Sequence, residues 1–241
     1  MAKLVCLDAG HGGKDSGACG NGLMEKDIAL KMVKKVGSIL TASGISVVYT
    51  RTDDSFKGLS DRCRIANSKA CDCFVSIHTN SAVNSQANGI ETLCYTKNSL
   101  AFYIQQNLIN ELKLNDRGVK ERKDLAVLNR TEMQAVLVEL GFVSNSENAK
   151  LMQRESFLGA SAECIAKGIC KYLGVNYKEN KEKTKMWADK VNRVYKYGNN
   201  EKVIEVLNVD GKNYVPVREL VELMGKKISY NSGTKMTEIR D

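Results

Sequence analysis

The sequence predicts an α/β protein: a mixed, mostly parallel sheet flanked by helices on both faces, followed by a small C-terminal α+β module. Three observations carry that expectation. Short β-type apolar runs alternate with segments of 3.6-residue periodicity through the first 175 or so residues. Both histidines of the chain, His11 and His78, follow such a run (Leu4–Leu7 and Phe74–Ile77) and precede small, turn-forming residues. Finally, the composition breaks at NYKENKEKTK (176–185), a charged stretch without an apolar face, as expected of a linker.

Taken in order, Lys3–Asp8 reads as a strand, followed by a glycine-rich loop to Gly22. Glu25–Ser43 places Ile28, Leu30, Met32, Val33, Val36, Ile39 and Leu40 at helical spacing and stops at Gly44, a residue suited to a helix C-terminus. Ile45–Thr50 is a second strand, Leu59–Ala70 a helix and Cys73–His78 a third strand. Gly89–Thr96 is a fourth, Leu100–Leu112 a helix, Ala135–Glu139 a buried apolar strand and Phe157–Leu173 a closing amphipathic helix. The domains expected are 1–175, a linker at 176–185, and a module at 186–241. In that module a short helix is predicted around Met186–Tyr195, a strand at Val203–Val209, a turn at Asp210-Gly211, a helix at Val217–Met224 with Pro216 at its first position, and short strands near Ile228 and Met236. Some 56 residues make a marginal independent core, so this module is expected to dock, self-associate or repeat. Met186 would also suit an internal translation start.

Composition excludes several classes. A hydrophobic fraction of 43% and a charged fraction of 27% are ordinary for a globular protein. No apolar run approaches the roughly 18 residues of a membrane span, so no membrane partner is expected. Before Asp8 there is one Lys and the apolar run Leu4–Leu7, too short for a secretory core of about 7–15 residues; synthesis in the cytoplasm without a signal peptide is the expectation. The net charge of +8 suits either simple solubility or an anionic polymer. With aromatics at 6% and no basic-aromatic stripe, nucleic acid is not an expected partner. The eight cysteines contain no CxxC pair and three of them fall in predicted strands, so they read as buried structural thiols.

Strands that deliver imidazoles to one sheet edge build a metal or catalytic site. Glu25 opens the first helix 14 residues after His11, and the intervening glycines let the chain fold back; an ordinary acid at a helix N-terminus would look the same. Glu139 ends the apolar run AVLV, where a carboxylate must be paired, metal-bound or held with a raised pKa. A salt bridge to Arg130 or Arg117 is the competing explanation.

LDAGHGGKDSGACGNGLMEKDIAL, RTDD with LSDRCRIAN, FVSIHTNS, GIETLCY, DRGVKERKDLAVL and VLVELGFVSN follow one another in the order found in zinc-dependent N-acetylmuramoyl-L-alanine amidases, and the chain resembles that family over residues 3–173. The resemblance implies a mixed sheet flanked by helices, one Zn²⁺ held by His11, Glu25 and His78, and Glu139 as catalytic glutamate. It implies hydrolysis of the amide between N-acetylmuramic acid and L-alanine in peptidoglycan. One departure is Gln134, where the family usually has a proline. Asn80 is a candidate for holding substrate backbone and Arg117 for a substrate carboxylate, although a turn asparagine and a solvated loop arginine would look alike. The tail VLNVDGKNYVPVRELVELMGKKISYN resembles the small domain of bacterial surface proteins named from copper amine oxidases, which implies wall attachment through an anionic polymer, or homo-oligomerisation. Catalytic module, basic linker and small module together suggest a phage endolysin acting on the wall after release. The alternatives are a mother-cell or autolytic wall amidase, a cytoplasmic zinc peptidase, or a non-catalytic wall-binding protein.

Overall fold

The computed structural model describes residues 3–178, 189–197, 200–209, 212–231 and 236–240. The first apolar run forms β1 (Leu4–Ala9), and after the glycine-rich loop two short strands, β2 (Cys19–Gly20) and β3 (Leu23–Met24), pair antiparallel. Helix α1 (Glu25–Ala42) buries Ile28, Met32, Val33, Val36, Ile39 and Leu40 of the predicted stripe and leaves Leu30 half-buried, and Gly44 follows it at φ +82°. Next come β4 (Ser46–Tyr49), α2 (Leu59–Ser68), β5 (Cys73–Asn80), β6 (Ile90–Cys94) and α3 (Ser99–Leu112). Then β7 (Asp116–Glu121), α4 (Ala126–Asn129), β8 (Gln134–Phe142), α5 (Ser146–Met152) and α6 (Glu155–Leu173) complete the first unit.

Six strands form one sheet in the order β4-β1-β5-β8-β6-β7. Every neighbouring pair is parallel except β6 against β8. Helical crossovers such as α1 and α2 permit the parallel pairs. Helix α1 packs on β1, β4 and β5, α3 on β6 and β7, and α6 lies across α1 and α3. Helices α2 and α4 pack together over a separate buried cluster that contains Cys6, Phe74, Leu93, Ala135 and Leu137.

The cluster matters because side chains alternate along a strand. Positions two further along these strands are Asp8, Ser76 and Glu139, with His78 the next on β5 and Glu91 two before Leu93 on antiparallel β6. One sheet face therefore turns from apolar to ionisable at a single edge. That edge carries the site.

The chain divides into two compact units, Met1–Lys183 and Thr184–Asp241. In the second, β9 (Asp189–Tyr197), β10 (Asn200–Val209) and β11 (Lys212–Tyr214) form an antiparallel sheet in the order β11-β10-β9. Helix α7 (Val217–Leu223) follows, and β12 (Lys227–Asn231) pairs with β13 (Met236–Arg240). Ile204, Val206, Val221 and Leu223 are buried.

Three expectations are corrected. The helix around Met186–Tyr195 is instead the strand β9, whose β-branched Val191 and Val194 pair with Val206 and Val203 of β10; residues 186–188 lie outside the described residues. Pro216 is the residue capping α7 rather than its first helical residue, with φ −59° and an extended ψ of 117°. Glu139 does not end its strand, since β8 continues to Phe142. The turn expected at Asp210-Gly211 lies outside the described residues.

Candidate metal centre and active site

His11 leaves the end of β1 in the left-handed region at φ 59°, and Gly12 (φ 126°) and Gly13 (φ 57°) continue the turn. Such a backbone is costly for a residue with a Cβ and persists only when its surroundings impose it. Two arginines do so. Arg51 donates to the carbonyls of Ala9 (3.0 Å) and Gly10 (2.7 Å), and Arg62 to those of Ala9 (2.5 Å) and His11 (2.7 Å). Arg62 is held in turn by buried Asp8 at 2.7 Å, whose carboxylate also accepts from Thr50 and Ser76, each at 2.6 Å. Burial opposes the charge on Asp8, but Arg62, Ser76 and Thr50 outweigh it and hold the carboxyl below its ordinary range. Neither arginine nor Asp8 was singled out as functional by sequence reasoning, although all three lie within motifs that carry the family resemblance.

Glu25 is the first residue of α1 and is almost wholly buried, at 4% exposure. Its Oε1 lies 2.7 Å from His78 Nδ1 and accepts from the Thr79 N–H at 3.1 Å. Its Oε2 lies 3.2 Å from His11 Nε2 and accepts from the Ala18 N–H at 2.8 Å. The two imidazoles meet edge to face with centroids 5.0 Å apart. Gly10 has no Cβ because one there would collide with the His78 ring, and Gly17, at φ 64°, is pressed in the same way between Glu25 and His11. Desolvation disfavours the charge on both partners, yet their contacts win: Glu25 is held far below the usual carboxylate range, and His11, helped also by Asp15, is raised to about 9. An acid at a helix N-terminus would need none of these partners, so position alone could not reveal its setting.

His11, Glu25 and His78 each offer a ligand atom, all within 4.8 Å of one another, and are the one such group among the described residues. Two imidazole nitrogens and a carboxylate oxygen are a donor set suited to a divalent transition metal. His11 Nδ1 lies 2.9 Å from Asp15 Oδ2, so the nitrogen turned away from Glu25 is also engaged.

Glu139 sits beside His78 in the parallel β5–β8 register and opposite Glu91 in the antiparallel β6–β8 register. Its buried Oε2 has no hydrogen-bond partner among the described residues. Desolvation raises its pKa to about 7, with Glu25 and Glu91 adding to the rise and the histidines opposing it. The alternative of a salt bridge fails: Arg117 Nε goes to Glu91 Oε2 at 2.7 Å, and Arg130 approaches Ser60 Oγ at 3.4 Å. Asn80 donates to Glu91 Oε1 at 3.2 Å and accepts from the Ser81 N–H at 2.8 Å. Asn80 and Arg117, expected to reach substrate, thus converge on Glu91, which Lys120 also holds at 2.6 Å.

Beside His11 and His78 a groove of about 600 Å³ runs between the segment containing Phe56 and Leu59 and the segment containing Leu125 and Val127. No described helix is long and apolar enough to cross a membrane.

Comparison with known proteins agrees with this geometry. The family described as N-acetylmuramoyl-L-alanine amidase matches residues 5–171. The chain belongs to that family. The amidase catalytic domain of CwlV from Bacillus (Paenibacillus) polymyxa var. colistinus superposes with a TM-score of 0.70 at 39% identity, covering 72% of this chain and 99% of that domain. The endolysin of Bacillus phage SPP1 is 45% identical over 188 residues, 74% of this chain and 69% of that protein. The N-acetylmuramoyl-L-alanine amidase LytC of Bacillus subtilis (strain 168) is 36% identical over 178 residues, 71% of this chain but 36% of its own length. As an amidase of this family the chain is a peptidoglycan hydrolase, and its mixed, mostly parallel sheet flanked by helices is like that of the amidase catalytic domains.

Proposed function

We propose that this amidase hydrolyses the bond between N-acetylmuramic acid and L-alanine with one Zn²⁺ held by His11, Glu25 and His78, and with Glu139 as proton carrier. The observation that supports it most is the buried, unpartnered Glu139 Oε2 beside the histidine–glutamate group. Ligand atoms around tetrahedral zinc, with bonds near 2.0–2.1 Å, lie roughly 3.3 Å apart. His11 Nε2 lies 3.2 Å from Glu25 Oε2, close to that spacing, and the ligand atoms of the three residues all lie within 4.8 Å of one another. Bound there, the metal would polarise the scissile carbonyl and make water acidic near neutral pH.

The rest belongs to the chain. Glu139, kept out of ion pairs and poised near neutrality, accepts the proton of the attacking water through its free oxygen and returns it to the leaving amine of L-alanine. Arg51 and Arg62 keep the His11 loop from relaxing when the metal is lost or gained. Asn80, Arg117 and Lys120 fix Glu91, and so the floor beside Glu139, rather than meeting substrate first.

Similarity to the phage relative supports an endolysin role, in which the enzyme reaches the wall after release from the cell. For the C-terminal unit, wall attachment or self-association remains the proposal. Residues 178–241 carry 14 Lys/Arg against 10 Asp/Glu, a balance suited to an anionic wall polymer.

Glu139→Gln is the test. Lysis of purified walls, followed by turbidity, is expected to fall by at least a thousandfold while zinc content by atomic absorption stays at the parent level. Retained lysis in this variant would remove Glu139 from the reaction, and lysis undiminished by a chelator that strips the zinc would remove the metal.

A further inference from the structure

The groove beside the histidines holds an imbalance of charge that the reaction as described leaves unused. Each acid lining it already has a partner: Asp8 has Arg62, Asp15 has His11, and Asp124 has Arg122 at 2.6 Å. Two cations lining it do not. Lys57 and Arg130 form no ion pair among the described residues. Lys57 influences Asp53 and Asp61 only through space, and Arg130 has a single long contact with the Ser60 hydroxyl. Toward β6 and β7, beyond Glu139, both cations are engaged: Arg117 and Lys120 share the Glu91 carboxylate.

The two halves of the substrate differ in the same respect. Once its lactyl carboxyl is in amide linkage, the sugar chain bears no charge. The peptide that begins at L-alanine carries free carboxylates along its length and at its end. An anion gains where positive charge is uncompensated and the walls are apolar, and Phe56, Leu59, Leu125 and Val127 supply such walls. Where cations are already satisfied, it gains little.

We infer that this groove seats the peptide half of the substrate, with Lys57 and Arg130 receiving its carboxylates as specificity-determining residues. The inference rests on the amidase reading and assigns the uncharged sugar half to the opposite side of Glu139. It also replaces Arg117, the residue to which sequence reasoning gave the carboxylate.

The experiment uses the full chain loaded with zinc and two soluble muramoyl peptides, one with free carboxylates and one with the same carboxylates amidated. Amine release is measured for the parent, Lys57→Ala, Arg130→Ala and the double variant, with melting curves to confirm folding. The parent is expected to favour the free acid in kcat/KM by roughly tenfold. In the double variant KM for the free acid should rise by about the same factor, and the preference should collapse toward one. A merely structural role would slow both substrates alike. A parent without preference, a preference that survives both substitutions, or equal losses on both substrates would overturn the inference. Hydrolysis of neither substrate by the parent would instead bring down the amidase reading.

Discussion

At the level of single residues, the structure separates side chains that touch the centre from those that aim them. Asp15 belongs to the second kind: it engages the His11 nitrogen opposite Glu25 and accepts from the Gly17 N–H through its other oxygen at 3.0 Å. A carboxylate in that place fixes the tautomer and plane of a ligating imidazole, and losing one commonly weakens metal binding about 10–100-fold. Asp15→Ala is therefore expected to raise the zinc dissociation constant by that factor, measured by competition with a chromophoric chelator. Its metal-free melting temperature should stay near the parent's, because Asp15 is only half-buried. An unchanged zinc affinity would show that Asp15 does not orient His11. Glu139 was legible from sequence because a carboxylate inside an apolar strand is anomalous wherever it falls. Glu25 was not, since the hydrogen bonds from Ala18 and Thr79 that define its setting come from residues 7 before and 54 after it. The setting of Arg117 was not legible either, since its partner Glu91 lies 26 residues away on a neighbouring strand.

Among elements, the decisive unit is the end of β1 together with the two arginines that clasp it. Arg62 comes from α2 and Asp8 from β1, so their buried pair ties a helix to the strand that carries His11. Removing one partner of a buried pair leaves a charge stranded and typically costs about 3–5 kcal/mol. Arg62→Ala should lose stability on that scale in urea unfolding of the metal-free protein, and a loss below about 1 kcal/mol would contradict the account. The pH dependence follows the same pair. Asp8 ionises more readily folded than unfolded, so its contribution is present at neutral pH and disappears as pH falls through its depressed pKa. The central strands were readable as short apolar runs because both of their faces are buried, as in β5, and the long helices because burial imposes period 3.6, as in α1. Strand β7 escaped notice: DRGVKE is half exposed at the sheet edge, and only Val119 gives it an apolar side. The four-residue α4 and seven-residue α5 are too short to show a period at all. Strand β9 was mistaken for a helix because Val191 and Val194 are three apart, a spacing that either structure allows.

For the molecule as a whole, the amidase family accounts for residues 5–171, and the second unit, Thr184–Asp241, lies beyond that match. The net charge of +8 is spread over both units, so the attraction proposed for an anionic wall polymer would not depend on the C-terminal unit alone. The catalytic unit also contains every cysteine of the chain, and the eight thiols are all unpaired. Seven are buried, with desolvation raising Cys164 to about 12 and Cys6 and Cys73 higher still, whereas Cys19 in the short strand β2 is exposed. Reactivity toward alkylating agents tracks thiolate and access together. A brief iodoacetamide pulse should therefore add a single label to the native enzyme, at Cys19, and the remaining seven only as the fold opens. Mass spectrometry would read the count directly, and several labels within the first pulse would contradict the packing described for β1, β5 and α6. The enzyme would thus keep its sulfur chemistry locked behind its own unfolding barrier, and label uptake would time each opening of the interior.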